Sequence, residues 1–135
     1  MATVHANTAR DALMRIENMI GMANMQIPAR ASRQQIASAL SAVIQIQRLS
    51  DGKRKLISLS EVTGMEGDTV TMQDIFVFQQ TGVDGQGNVT GQFRATGIRP
   101  RFQDRLIAHG QAVSDEIYDP SRVYSVVPRA AAKVR

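Results

Sequence analysis

An α+β chain is predicted here: two helices, a run of antiparallel β-hairpins, and one further helix. Three observations carry that prediction. Apolar residues recur at helical spacing between Ala12 and Ile20. From Val43 the pattern switches to alternation through Ile44, Gln45, Ile46 and Gln47, the period of a strand. Beyond that point glycine-bearing turn signals punctuate the chain at Asp51-Gly52, at "GMEGD" (64–68) and at "GVDGQGN" (82–88).

The opening Thr3-Val4-His5 run is strand-like and leads straight into a helix, as though the chain began inside a βα unit. Thr8 supplies an N-cap, and Asp11 three residues later makes a near capping box, with Asp in place of the usual Glu. Ala12, Leu13, Ile16, Met19 and Ile20 form one stripe, while Arg10, Arg15, Glu17 and Asn18 take the other side. Met14, Met19, Met22 and Met25, four of the seven methionines, crowd this region and read as flexible core filler or a packing surface. Gly21 stands near the helix end, and Pro28 opens a second helix with Ile36, Ala37 and Leu40 as its apolar positions.

Alternation then predicts a strand of about seven residues from Ala42, a return strand over 55–62, a long strand over 69–81 and another over 89–96. Pro100 restarts a helix, with Phe102, Leu106 and Ile107 on its inner face and Gly110 as its stop. His109 sits in the last turn, where a helix C-terminus favours positive charge and a capping role. Residues 113–124 promise a short helical turn at most, and "PRAAAKVR" (128–135) reads as a small, frayed basic tail.

Composition excludes more than it assigns. A chain of 135 residues is one domain at most. It has no cysteine, which removes disulfides, thiolate chemistry and cysteine-based metal sites. No apolar run reaches the length of a membrane span. The net charge of +4 is scattered rather than massed, so it selects neither nucleic acid nor lipid as a partner. His5 and His109 are far apart and make a poor metal pair. Asp68, Asp74, Asp84, Asp115, Glu116 and Asp119 fall mostly in turns, at spacings that match neither a calcium loop nor an acid–base pair. The phosphate-cradling pattern G-x-x-x-x-G-K-[ST] is absent, since Gly52-Lys53 follows Asp51 and precedes Arg54. Residue chemistry alone stops at a basic α+β domain.

A resemblance goes further. "TVHANTARDAL" (3–13) resembles the histidine box of bacterial secretion ATPases, the type II/type IV secretion and pilus-assembly superfamily. The similarity continues through "IPARASRQQIASALSAVIQIQRLSDGKRKLISLSEVTGMEGDTVTMQDIFVF" (27–78) and "GQFRATGIRPRF" (91–102). It covers roughly residues 1–120, in order through helices, turns and hairpins, and looks like the CpaF/TadA subfamily that powers tight-adherence (Flp-type) pili.

That resemblance implies an α/β parent whose C-terminal domain is a RecA-like P-loop NTPase, hexameric, hydrolysing ATP with Mg2+ to drive pilus assembly or secretion. Residues 1–120 would be its C-terminal portion starting at the histidine box, and 121–135 a basic, flexible tail. Of the family's P-loop, acidic box, catalytic-Glu motif and histidine box, only the last is present in this sequence. His5 would face the γ-phosphate side of the nucleotide, donating a hydrogen bond or sensing hydrolysis, with Thr3 and Asn7 shaping the turn that aims it. Arg10 would orient the same loop or reach a neighbouring subunit. Arg30 and Arg33 would face a nucleotide or subunit interface, or make structural salt bridges. The implied setting is cytoplasmic and peripheral at the inner membrane, through a platform protein of the secretion machine, with no nucleic-acid partner. Two expectations follow: the chain alone hydrolyses no ATP, and strands at Thr3-Val4 and 43–49 expose unpaired edges that invite self-association. Met1 then need not be a true start, and a truncated gene product, a misplaced gene start and an excised domain all fit the sequence. The alternative is a stand-alone, non-enzymatic interaction module that docks onto a full-length secretion ATPase, its binding independent of nucleotide.

Overall fold

Thr8 starts the first helix as its chemistry demands. Its backbone is extended (φ −134°), and its hydroxyl accepts a hydrogen bond from Asp11 N at 3.0 Å, satisfying one of the first-turn donors. The computed structural model describes residues 1–23, 26–111 and 113–125. Helix α1 spans Ala9–Met22 and helix α2 Ala29–Ala39. Leu13 and Ile36 are the buried apolar residues of the pair, and Ala12, Ile16 and Ile20 are half-buried beside them. Gly21 lies inside α1 rather than after it, and Pro28 stands just before α2, its carbonyl accepting from Ser32 N. Met14, Met19 and Met22 are 57%, 47% and 83% exposed, so they form a surface and not core filler. Met25 and the tail over 128–135 lie outside the described residues.

The Thr3-Val4 strand is not formed: residues 1–6 belong to no regular element. A strand needs a neighbour for its N–H and C=O groups, and no described segment pairs with this run.

Five antiparallel strands lie in the order of the chain: β1 Ala42–Arg48, β2 Arg54–Glu66, β3 Thr69–Val83, β4 Val89–Ala95 and β5 Val123–Ser125. The β2–β3 turn is tighter than its "GMEGD" signal suggested, because pairing continues to Glu66↔Thr69 and only Gly67-Asp68 turn, Gly67 at φ 60°. At the β1–β2 turn, Asp51 accepts from Lys53 N and from Val89 N, both at 3.0 Å, so this turn is fastened to the start of β4. Burial pushes the Asp51 carboxyl up, but those two N–H groups and the Lys55 ammonium outweigh it and hold the group below its ordinary value. The stabilisation is therefore present at neutral pH and is lost as pH falls through that depressed value. Strand β5 went unpredicted, since three residues carry no readable period; Phe93↔Tyr124 centres its pairing with β4.

The sheet has two different faces. Ser58 and Ser60 point to one and Leu59 to the other, by the alternation of a strand. α1 and α2 pack on the serine side, where Thr8, Ala9 and Arg10 line a crevice with Gln45, Ser58, Ser60 and Asp74. The Leu59 side carries the core of Ile75, Phe76, Ala95 and Tyr118, flanked by Phe93, Ile117 and Tyr124. A bulge makes adjacent burial possible there: Leu59 opposes Phe76 and Ser60 opposes Asp74, which leaves Ile75 as the extra residue. The Phe76 and Phe93 rings stack at 5.7 Å, and Tyr124 meets Phe76 edge-on at 6.2 Å.

A 3-10 turn over Asp115–Tyr118 closes this core with Ile117 and Tyr118, and helix α3, Phe102–Ala108, is tied to it through Gln103. Glu61, 3% exposed, anchors α3: its carboxylate accepts from Phe102 N at 3.0 Å and from Gln73 Nε2 at 2.9 Å. The inner face of α3 differs from the predicted one. Ile107 is 49% exposed, while Gln103 is buried, accepting from the Tyr118 hydroxyl and donating to Val113 O and Asp115 Oδ1. An amide suits that position because the segment it meets offers polar groups that burial would otherwise strand. His109 occupies the C-cap as expected, and Gly110 follows at φ 74°.

Strand β1 is an edge strand whose isoleucines lie on the Leu59 side of the sheet, exposed beyond the core. Ile44 and Ile46 are 63% and 64% exposed, whereas Val43 and Gln45 are half-buried against the helices.

Two outcomes test this architecture. Glu61→Ala leaves Phe102 N and the Gln73 amide without their buried acceptor, lowering urea-unfolding stability by about 1–3 kcal/mol, and Glu61→Gln costs less. Lysines at both Ile44 and Ile46 suppress concentration-dependent association in sedimentation velocity, with stability changed by no more than about 0.5 kcal/mol.

Candidate functional site

The His5 segment reaches its place through three neighbours. The Asn7 carbonyl accepts from Gln45 Nε2 of β1 at 2.5 Å, which ties the loop to the sheet. Thr8 then turns the chain into α1. His5, Ala6 and Asn7 form one wall of an open cleft of about 600 Å³, and Asp11, Met14, Arg15 and Asn18 of α1 form the other. His5 is exposed, as are Asn7, Asp11 and Arg15, so their polar groups are available to a ligand. Thr3 is exposed and does not line the cleft.

Arg10 lies elsewhere. On a helix of 3.6 residues per turn, positions five apart are separated by about 140°, so Arg10 and Arg15 project from different faces. Arg10 lines a crevice with Leu13, Glu17, Arg33, Ile36 and Asp68, between α1, α2 and the β2–β3 turn. It also edges the smaller crevice over Ser58 and Ser60.

Arg33 is held in a fork by Glu17. Its Nε donates to both Glu17 carboxylate oxygens at 3.0 Å, its Nη2 reaches Oε1 at 2.9 Å, and its Nη1 donates to Asp68 O at 3.2 Å. The Glu17 hydrogen bonds, and then its charge, raise the Arg33 guanidinium above its ordinary value. The contact clamps α1 to α2 and both to the β2–β3 turn. Arg30 pairs with Asp68 at 3.3 Å, with both side chains well exposed. Both arginines thus make the salt bridges that the sequence allowed. Glu17 was the residue missed, for it reads as one more charge on the polar side of α1, and its partner lies 16 residues away.

The cleft suits an anion with several acceptor oxygens. His5, Asn7, Arg15 and Asn18 can all donate, and the N-terminal end of α1 adds a favourable dipole. Asp11 opposes them as the one carboxylate of the lining. Among the described residues no group of three His, Asp or Glu side chains is placed to hold a metal ion. The donors of this lining have the chemistry that the phosphate end of a nucleotide requires.

Residues 1–103 match the family described as "Type II/IV secretion system protein". The chain belongs to that family. The match takes in the His5 cleft, α1, α2, strands β1 to β4 and the first residues of α3. Within the secretion-system family this α/β arrangement is consistent with part of a RecA-like ATPase domain. No curated protein matches the chain. Among the described residues no helix is long and apolar enough to cross a membrane.

The Arg33–Glu17 clamp is tested by a double-mutant cycle. Arg33→Ala and Glu17→Ala are expected to couple by about 1 kcal/mol in urea unfolding; additive effects would remove the clamp as a stabilising element.

Proposed function

We propose that this chain is the histidine-box portion of a secretion ATPase of the CpaF/TadA type, one that hydrolyses ATP in a hexameric ring to drive pilus assembly. The observation that carries the reading is the shared cleft of His5 and Asn7 at the start of α1, within the region matched to the secretion-system family. In this reading the His5 imidazole donates a hydrogen bond to an oxygen at the γ-phosphate end of ATP. Its bond is made or lost with that phosphate, and α1 carries the difference to the rest of the domain. Asn7 holds the loop through the Gln45 contact, and Thr3 belongs to the approach before it. Arg10 acts from the far side of α1, toward the α2 and sheet contacts or a neighbouring subunit. Arg30, the more exposed of the two α2 arginines, is the better placed for a subunit boundary. Mg2+ neutralises phosphate charge in such reactions, and its ligands come in this reading from outside the residues of this chain. The setting is the cytoplasmic side of the inner membrane, against a platform protein.

The exposed Ile44, Ile46, Met14, Met19 and Met22 favour a second reading, an interaction module that docks onto a secretion ATPase without chemistry of its own.

Hydrolysis separates the two. The chain alone is expected to release no phosphate from ATP. Joined to the P-loop-bearing half of a secretion ATPase it becomes part of a working site, where His5→Ala lowers kcat about 100-fold while ATP affinity stays within about threefold. An unchanged kcat would remove His5 from the chemistry, and saturable, nucleotide-independent binding to an intact ATPase would establish the docking module.

A further inference from the structure

We propose that Arg15 is the cation this cleft presents to the phosphate oxygens of a nucleoside triphosphate. The inference rests on the reading of the His5 cleft as the phosphate end of a nucleotide site. The helix sets up the geometry: Asp11, Arg15 and Asn18 stand at i, i+4 and i+7 on α1, one seam that forms the wall opposite His5 and Asn7. Arg10 and Glu17, seven residues apart, share the other face, where Glu17 is engaged with Arg33. The run "ARDALMRIEN" thus carries two arginines that look equivalent in sequence, and only the second shares a cleft with His5.

Arg15 is also available. Arg30, Arg33, Arg99 and Arg122 pair with carboxylates, and Arg48, Arg94, Arg101 and Arg105 donate to carbonyl, amide or hydroxyl oxygens. Among the described residues the guanidinium groups of Arg10, Arg15 and Arg54 have no such partner, and of the three only Arg15 lines the His5 cleft, with Asp11 one turn before it in the order that favours an ion pair. A guanidinium offers a planar fork matched to two oxygens of a phosphate, which a triphosphate presents repeatedly and one carboxylate presents once. Asp11, one turn earlier in the same lining, stands beside Arg15 without pairing with it, and Asn18 extends the row of donors by one turn. His5 and Arg15 grip the same group from opposite walls. That division of labour gives the site an imidazole donor that reads phosphate position and a guanidinium charge that supplies attraction.

The test uses the full 135-residue chain with ATP and inorganic tripolyphosphate as probes, followed by NMR of the arginine Nε–H and histidine ring signals. Both anions are expected to move the Arg15 and His5 signals along one saturation curve. Arg15→Gln raises the apparent Kd at least about fivefold, Arg15→Lys restores part of it, and Arg10→Gln changes it less than twofold. Equal effects at Arg10 and Arg15, or shifts that scale only with ionic strength, would overturn the assignment as diffuse surface charge. A His5 response that survives Arg15→Gln at full affinity would overturn Arg15 alone and leave the His5 reading standing. Silence at both residues, together with an unchanged kcat for His5→Ala in the joined protein, would remove the cleft as a phosphate site altogether.

Discussion

A buried carboxylate sets the terms for this fold. Glu61 lies at the middle of β2 with almost no exposure, and an ionised group there is costly unless its oxygens are used. Its two oxygens take the Gln73 amide of β3 and the first N–H of α3, so one side chain joins two strands to that helix. The adjacent Arg101 reinforces the junction by donating to Thr63 O at 3.1 Å. Beyond it, Gln103, Tyr118, Asp115 and Arg99 continue the same polar seam under the helix. The aromatic cluster around Phe76, with Ile75 and Ala95, forms the apolar core of this face, and the polar seam fixes where α3 sits beside it.

The other face is organised by a second charged junction. Arg33 and Glu17 hold α2 against α1, and Asp68 O brings in the β2–β3 turn. Because α1 is fixed in this way, the cleft at its start has one rigid wall. The opposite wall is a loop without secondary structure, and it is fixed at one point by Gln45. A site that reads a phosphate benefits from that combination, since a loop fixed at one end can respond to ligand while the helix holds its register. The neighbouring edge strand β1 carries Ile44 and Ile46 exposed on the sheet's other side, the one that bears Leu59.

Membership of the secretion-system family adds what the cleft by itself lacks. His5 on its own is an exposed histidine on an irregular segment. It lies within residues 1–103, the stretch matched to the secretion-system family. The proposed role of phosphate recognition draws on the imidazole, amide and guanidinium donors around one opening.

By itself the sequence determined the parts governed by near neighbours. Thr8 and Asp11 announced the start of α1, Asp51-Gly52 announced a hairpin, the alternation at Val43–Gln47 announced β1, and Gly110 announced the end of α3. Each depends on hydrogen bonds or periods spanning a few residues, which a local reading captures. Only tertiary structure decided which of two arginines faces His5 and Asn7, since Arg10 and Arg15 differ by rotation about a helix whose orientation the Arg33 clamp sets. It likewise decided that Gln103 is buried while Ile107 is not, that Ile44 and Ile46 are exposed, and that three residues at Val123–Ser125 become a strand. Partners in these cases come from other elements of the fold, so hydrophobicity at the position itself could not foretell the outcome.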